Sequence, residues 1–220
     1  MEAKRAMTAT LETAPREALV LHGYAPSILD RIRDKAVELA IWERDLPQGF
    51  AGWLDALPAA NLPDERDVTD AAGLEATIAA MLDDARTPDG AMRDLLLDDI
   101  AGLARRFMAI MDSAQVDIRL EAVEHDACWK FHRDCVEARL LATYRGPGTQ
   151  WIPPALSEAA LESQKDYRGP IQSLSRFAAG MFKGSCATPA RGIVHRSPPI
   201  DGAGVTRLLL CLNLPRPVHH

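Results

Sequence analysis

The sequence has no long apolar run, no stripe of basic residues and no secretory leader pattern. A segment of about 18 apolar residues is needed to span a bilayer, and residues 1–16 lack the apolar centre of a signal peptide. We therefore expect a cytoplasmic protein with no membrane partner. The formal net charge is −6 and the pI is near 5.5. This acidic balance argues against nucleic-acid binding, because proteins that bind nucleic acids concentrate Lys and Arg on one face.

The sequence also lacks closely spaced cysteines. Its four cysteines are Cys128, Cys135, Cys186 and Cys211. No pair has CxxC spacing, and disulfides are uncommon in a reducing compartment. As a group they are predicted to be small buried hydrophobic residues rather than metal ligands.

Length and composition are those of a globular protein. The chain has 220 residues, of which 47% are hydrophobic and 25% are charged, which is enough to bury one sizeable core. We expect residues 1–15 to be poorly ordered and residues 16–220 to form a single domain. Within that domain, a helical part over 16–114 is predicted to pack on a β-sandwich over 115–215.

Helical periodicity dominates the first half of the chain. A short strand is predicted over 17–23, followed by apolar residues at helical spacing over 27–40 and again over 74–81. A longer helix is predicted to begin at Thr87, where a capping residue is followed by proline. These patterns predict a helical N-terminal layer.

From Gln115 onward the apolar period changes to two. Val116, Ile118 and Leu120 alternate with charged residues, which is typical of a half-buried strand. Six more strand candidates follow: WKFHRD (129–134), EARLLATY (137–144), TQWIP (149–153), FAAGMF (177–182), GIVH (192–195) and RLLLCLNL (207–214). Short strands separated by Gly and Pro predict an antiparallel sandwich or barrel.

Three polar residues in this half suggest a metal site. Residues two apart in a strand point to the same face, so His132 and Asp134 could contact one cation. His195 ends a β-branched strand before a loop that contains two prolines, and loops at strand ends often carry function. Taken singly, the His-x-Asp tripeptide is also consistent with a solvated strand face, and His195 with a structural histidine.

Arg207 is the fourth polar residue of interest, because it opens an otherwise apolar strand. An arginine in that position needs an anion or water as a partner, although a surface arginine at a strand start would look the same.

Two histidines and one carboxylate with open coordination positions form the facial triad of non-haem Fe(II) oxygenases.

The order His-x-Asp, a distant His and an Arg on the next strand resembles the Fe(II)/2-oxoglutarate-dependent oxygenase superfamily. The resemblance implies an α+β fold whose core is a double-stranded β-helix, that is, jelly-roll or cupin-like. It implies that His132, Asp134 and His195 bind Fe(II) and are catalytic. It also implies that Arg207 pairs with the far carboxylate of the co-substrate 2-oxoglutarate.

More narrowly, the segments FHRD, RLLATYRGPGTQW, HRSPP and RLLL are similar to a bacterial family known as a domain of unknown function. GPGTQWIP (146–153) is also similar to a Gly-x-Thr segment of many superfamily members.

The oxygenase resemblance suggests further site residues around the triad. Tyr144 is the predicted second contact to 2-oxoglutarate, with Thr143 or Asn213 as alternatives. Arginines and a tryptophan near the triad are candidates for contacting substrate, although each is also consistent with a solvated arginine or a core tryptophan. These candidates are Arg139, Arg145, Trp151 and Arg196.

Three functions follow from these patterns. The first is a hydroxylase-type dioxygenase, an oxidoreductase that uses Fe(II) and 2-oxoglutarate on a small-molecule or unknown substrate. The second is a zinc- or iron-handling protein without oxygenase activity, whose site is closed by Cys135 or His125 as a fourth ligand. The third is a non-catalytic interaction module that docks through its helical half.

Overall fold

The computed structural model describes residues 18–187 and 191–216, so the prediction for residues 1–15 lies outside the described residues. The strands are β1 (Leu19–Gly23), β2 (Val37–Trp42), β3 (Glu65–Asp70), β4 (Gln115–Val123), β5 (Ala138–Arg145), β6 (Gln150–Trp151), β7 (Gln172–Ser173), β8 (Ala179–Lys183), β9 (His195–Arg196) and β10 (Arg207–Asn213). The α-helices are α1 (Phe50–Ala56), α2 (Leu74–Asp84), α3 (Ala91–Met111) and α4 (Ser157–Ser163). Short 3-10 helices span Pro26–Arg33, Ala59–Asn61, Pro154–Leu156 and Gln164–Asp166.

The strands form two sheets. The large sheet has seven strands in the order β1-β2-β8-β5-β10-β4-β3. Its β1 and β2 are parallel, and its other neighbours are antiparallel. The small sheet has the order β7-β6-β9. An isolated bridge from His132 to His195 adds one more paired residue at the β9 edge.

The central strands of the large sheet are buried on both faces. In β10, Leu208, Leu210 and Leu212 belong to the core shared with the helices. The intervening Leu209 and Cys211 belong to a second core, which also contains Trp151 of the small sheet. The alternation predicted for this strand is confirmed, and the second core places the small sheet against the large one.

The prediction of a helix over 27–40 is wrong. A 3-10 helix ends at Arg33, and the chain then enters β2, whose residues face both cores. Leu39 lies in the core below the small sheet and Ala40 in the core below the helices. A strand buried on both faces has a continuous apolar run and does not show the period of two.

The division into a helical half and a β half therefore does not hold. Three strands of the large sheet, β1, β2 and β3, come from the N-terminal part of the chain. Thr87 also does not cap α3, because its hydroxyl donates to the carbonyl of Asn61 and the helix begins at Ala91. The mixed α+β class is confirmed. No helix in the described ranges is long and apolar enough to cross a membrane.

Candidate metal centre

Two histidines and one aspartate meet between the two sheets. His195 belongs to β9, and His132 and Asp134 lie in the loop between β4 and β5. The predicted strand over 129–134 forms only one bridge. In that bridge the amide of His132 donates to the carbonyl of His195 and the amide of His195 donates back, both at 3.0 Å. This exchange holds the two histidines side by side, although they are 63 positions apart in the chain.

The three side chains converge on one point. The Nε2 atom of His132 lies 3.5 Å from one carboxylate oxygen of Asp134, and the Nε2 atom of His195 lies 3.2 Å from the other. The imidazole centroids are 4.6 Å apart. One potential ligand atom from each residue lies within 4.8 Å of the others. A single cation could contact all three.

The histidine tautomers favour a metal at this point. Nδ1 of His132 lies 2.8 Å from the carbonyl oxygen of Lys130, and Nδ1 of His195 lies 3.2 Å from that of Ile193. Each Nδ1 therefore carries a proton, which leaves the lone pair of each neutral Nε2 facing the carboxylate. The two Nε2 atoms and the carboxylate of Asp134 then face one another with their lone pairs, and a divalent cation can accept all three as ligands.

Asp134 supplies a second indication. Its carboxylate is 9% exposed, and its Oδ2 atom has no hydrogen-bond partner within residues 18–187 and 191–216. His195 Nε2 is close to this oxygen but lacks the alignment of a hydrogen bond. A buried carboxylate oxygen without a partner is costly, so the residues present fit a metal ion.

The electrostatics keep the aspartate ionised. Burial alone would raise the pKa of Asp134, but contacts with His132 and His195 and the charge of Arg139 outweigh burial and lower that pKa well below its ordinary range. The contact with Asp134 is the main cause that raises the pKa of His132. In the absence of metal, the carboxylate therefore favours a proton on His132.

Arg139 contacts the aspartate directly. One of its terminal nitrogens lies 3.0 Å from Oδ1 of Asp134, and its Nε donates to the side chain of Asn213 at 3.1 Å. Arg139 therefore holds the Oδ1 atom of Asp134 in place and leaves the Oδ2 atom facing His195. Arg139 and Asn213 therefore orient a ligand in this structure, which is a role that the sequence pattern did not indicate.

The three-residue cluster borders a cavity of about 440 Å³. His132 and His195 both line it, together with arginines and hydroxyl side chains. The polar lining includes Arg119, His125, Arg139, Thr149, Arg196 and Ser197. The open side of the candidate metal centre therefore faces space that a small molecule could occupy.

Arg207 lies buried beside this cavity. Its Nη2 donates to the hydroxyls of Thr149 at 2.7 Å and Thr143 at 3.2 Å, and its Nε donates to the carbonyl of Pro147 at 2.9 Å. No carboxylate lies within ion-pair distance of it in the described part of the chain. Burial lowers the pKa of Arg207 to about 10, so it stays charged at neutral pH. A buried cation without a counterion is suited to bind an anion.

A family assignment accompanies this geometry. The profile of the family described as "Protein of unknown function (DUF1826)" matches residues 23–213. The chain belongs to the DUF1826 family. This membership confirms the predicted similarity to a family of unknown function. No curated protein sequence matches the chain significantly.

Solved structures with a distant likeness to this DUF1826 protein include the following two. A complex of dioxygenase for auxin oxidation 1 from Arabidopsis thaliana with 2-oxoglutarate is 12% identical, covers 91% of this chain and 94% of its own, and has a TM-score of 0.45. AviO1 from Streptomyces viridochromogenes is 16% identical, covers 88% of this chain and 96% of its own, and has a TM-score of 0.38.

Tyr144 does not join the candidate metal centre in the DUF1826 protein. Its hydroxyl donates to Asp99 of α3 at 2.5 Å, on the face of the large sheet that packs against the helices. Its neighbour Thr143 is the residue that contacts Arg207. Because successive strand residues face opposite sides, the strand predicted over 137–144 already contained the signal that separates these two residues.

The predicted substrate residues divide between cavity and core. Arg139 and Arg196 line the cavity. Arg196 lies 4.2 Å above the ring of Phe131 and donates to Gln150 at 2.7 Å. Trp151 instead packs in the core between the sheets, so the structure argues against its contacting substrate. Arg145 donates to the carbonyl of Leu57 and does not line the cavity.

The proposed fourth zinc ligands are not part of the cluster. Within the described ranges, the group that could hold a metal contains His132, Asp134 and His195 only. His125 lines the cavity, and the Cys135 sulfur lies 3.7 Å from that of Cys186. The prediction that the cysteines are buried holds for Cys211 alone, because the other three are exposed.

Proposed function

We propose that this DUF1826 protein is an Fe(II)/2-oxoglutarate-dependent dioxygenase of the hydroxylase type. The observation that carries the proposal is a three-ligand cluster that opens onto a cavity beside a buried arginine, which forms no ion pair with any described residue. Three protein ligands on an iron leave positions open for co-substrate and O₂. A structural zinc site instead needs four ligands, and a fourth is missing from the cluster among the described residues.

In this proposal His132, Asp134 and His195 hold Fe(II) through the two Nε2 atoms and the carboxylate. When bound, the iron and the keto acid supply the oxidising chemistry for hydroxylating a C–H bond. The backbone carbonyls of Lys130 and Ile193 hold the imidazoles in the required tautomer. Such partners beyond the ligands also fix ring orientation.

Arg207 binds the far carboxylate of 2-oxoglutarate in this proposal. Its guanidinium can donate a charge-assisted hydrogen bond to a carboxylate while its other N–H groups keep their protein partners, an arrangement that lysine reproduces poorly. Thr149 and Thr143 orient the guanidinium by accepting from Nη2. The Nη1 atom lies 3.5 Å from the hydroxyl of Ser197, which is a weaker contact than those of Nη2. Nη1 is therefore the nitrogen that can donate to an anion.

Arg196 is the residue proposed to contact substrate, because its guanidinium lines the cavity and no carboxylate forms an ion pair with it among the described residues. The finer fold is proposed to be a double-stranded β-helix. Two facing sheets with the ligands between them support that description.

Anaerobic spectroscopy with Fe(II) and 2-oxoglutarate tests this function without knowledge of the substrate. We expect the weak visible charge-transfer band of an iron-chelated keto acid to appear and saturate as 2-oxoglutarate is added. Pyruvate is the matched control, because it has the chelating keto acid but no far carboxylate to reach Arg207, and it should bind more weakly. If 2-oxoglutarate does not bind at millimolar concentration, the metal-handling function takes its place.

A further inference from the structure

Two exposed cysteines lie beside the metal centre and have no role in the proposed function. Cys135 directly follows Asp134, and Cys186 lies in the turn after β8. Their sulfur atoms are 3.7 Å apart, and both side chains are exposed. The two residues are 51 positions apart in the chain, which explains why no sequence motif marks the pair.

Two backbone hydrogen bonds connect the segments that carry the two cysteines. The amide of Ser185 donates to the carbonyl of Asp134 at 2.9 Å, and the amide of Cys186 donates to that of Val136 at 3.1 Å. Cys135 lies between these two acceptors. The two bonds therefore hold the segments of Cys135 and Cys186 against each other, with the sulfur atoms 3.7 Å apart.

A glycine permits this close approach. A Cβ atom at Gly184 would collide with the carbonyl oxygen of Val136 and lie 2.8 Å from that of Asp134. The chain therefore brings the segment after β8 against the Asp134 segment only because residue 184 has no side chain. Ser185 strengthens the contact, because its hydroxyl also donates to the carbonyl of Asp134 at 3.0 Å.

We propose that Cys135 and Cys186 form a redox modification site, at which hydrogen peroxide converts the thiol pair into an intramolecular disulfide. One sulfur attacks a peroxide oxygen, the O–O bond breaks, and a sulfenic acid and water form. The second sulfur then attacks the first, the S–O bond breaks, and the oxygen leaves as a second water. The two thiols lose two electrons and two protons, and the peroxide is reduced to two waters.

Closing the bond requires a small movement. The sulfurs must approach from 3.7 Å to about 2.0 Å, which side-chain rotation on an exposed surface can supply. The linkage would tie the segment that carries Asp134 to the end of β8. It restricts the unfolded chain, so the oxidised protein should melt at a higher temperature than the reduced protein.

Peroxide treatment of the full-length chain in the presence of EDTA tests the site. Thiol titration after denaturation should show loss of two of the four thiols, and peptide mass spectrometry should identify Cys135 linked to Cys186. A dithiol reductant should restore both thiols and reverse the rise in melting temperature. Cys128→Ser is the matched control, because Cys128 is exposed but outside the pair, and this variant should behave like the wild type.

Cys186→Ser should abolish the linked peptide and the rise in melting temperature. Retention of all four thiols under peroxide would overturn the proposal, as would a linkage through Cys128 or between chains. Thiol loss that occurs only when EDTA is omitted would also overturn it, because oxidation would then depend on a bound metal rather than on the prearranged pair. The test measures the thiols directly, so its outcome does not depend on oxygenase activity.

Discussion

Arg207→Ala should remove most of the affinity for 2-oxoglutarate and leave the metal bound. Arg207 is 1% exposed and contacts none of the three metal ligands through a hydrogen bond. Its truncation therefore removes the proposed anion partner without removing an iron ligand. The variant separates co-substrate binding from metal binding.

The expected magnitude follows from the environment of the guanidinium. Burial strengthens a charge-assisted hydrogen bond, because the surroundings have a lower dielectric constant than water. Loss of such a contact typically costs about 1.5 to 3 kcal/mol, which corresponds to roughly a ten- to hundred-fold rise in Kd. Arg207→Lys keeps the charge but loses the planar guanidinium. The Kd of this variant for 2-oxoglutarate should lie between those of the wild type and Arg207→Ala.

The assay is anaerobic titration of the Fe(II)-loaded variants with 2-oxoglutarate, followed through the visible charge-transfer band. Metal content by elemental analysis and thermal melting establish that each variant is loaded and folded. Arg119→Ala is the matched control, because Arg119 lines the same cavity but is half exposed and pairs with Glu121. A folded, metal-loaded Arg207→Ala protein with wild-type affinity would refute the co-substrate assignment.

Three further predictions concern the metal ligands and the opposite face of the sheet. His132→Ala should lose bound metal by elemental analysis while still melting cooperatively, whereas replacing the exposed His22 should leave metal content unchanged. Contact with Asp134 raises the pKa of His132. The proton on His132 therefore stabilises the metal-free protein fully at pH values below the ordinary histidine pKa of about 6.5. This stabilisation is lost as the pH rises through the raised pKa of His132. Metal must displace that proton, so metal affinity measured by calorimetry should increase with pH over the same range, and a flat profile would contradict the assignment. Tyr144→Phe should lower the free energy of unfolding in urea by about 1 to 2 kcal/mol, because the bond to Asp99 is lost, and should leave the Kd for 2-oxoglutarate unchanged.

Several parts of the fold could be predicted because their signal is local. The alternation in β10 places Leu208, Leu210 and Leu212 on the helix side and Leu209 and Cys211 on the other face, and strand geometry alone imposes that period. The same reasoning applied to β5 separates Tyr144 from Thr143. The cluster of His132, Asp134 and His195 came from residue type and order, since few metal chemistries use that ligand set.

Other features depend on which segments become neighbours. The apolar spacing over 27–40 predicts a helix that runs into β2. Burial of β2 on both faces erases the period of two that would mark it as a strand. The loop that carries His132 has one paired residue rather than a strand, so its side chains converge through a bridge to His195 and not through strand alternation. The orientation of Asp134 by Arg139 likewise requires β5 to lie beside that loop.

Short stretches of the chain determine which residue types are able to bind iron. They also determine the face of each regular strand on which those residues lie. They do not determine the distances between those residues, because hydrogen bonds between remote segments set them. His132 and His195 meet through one reciprocal backbone pair. Cys135 and Cys186 meet because Gly184 lets two segments approach, a contact for which neither local sequence contains a signal.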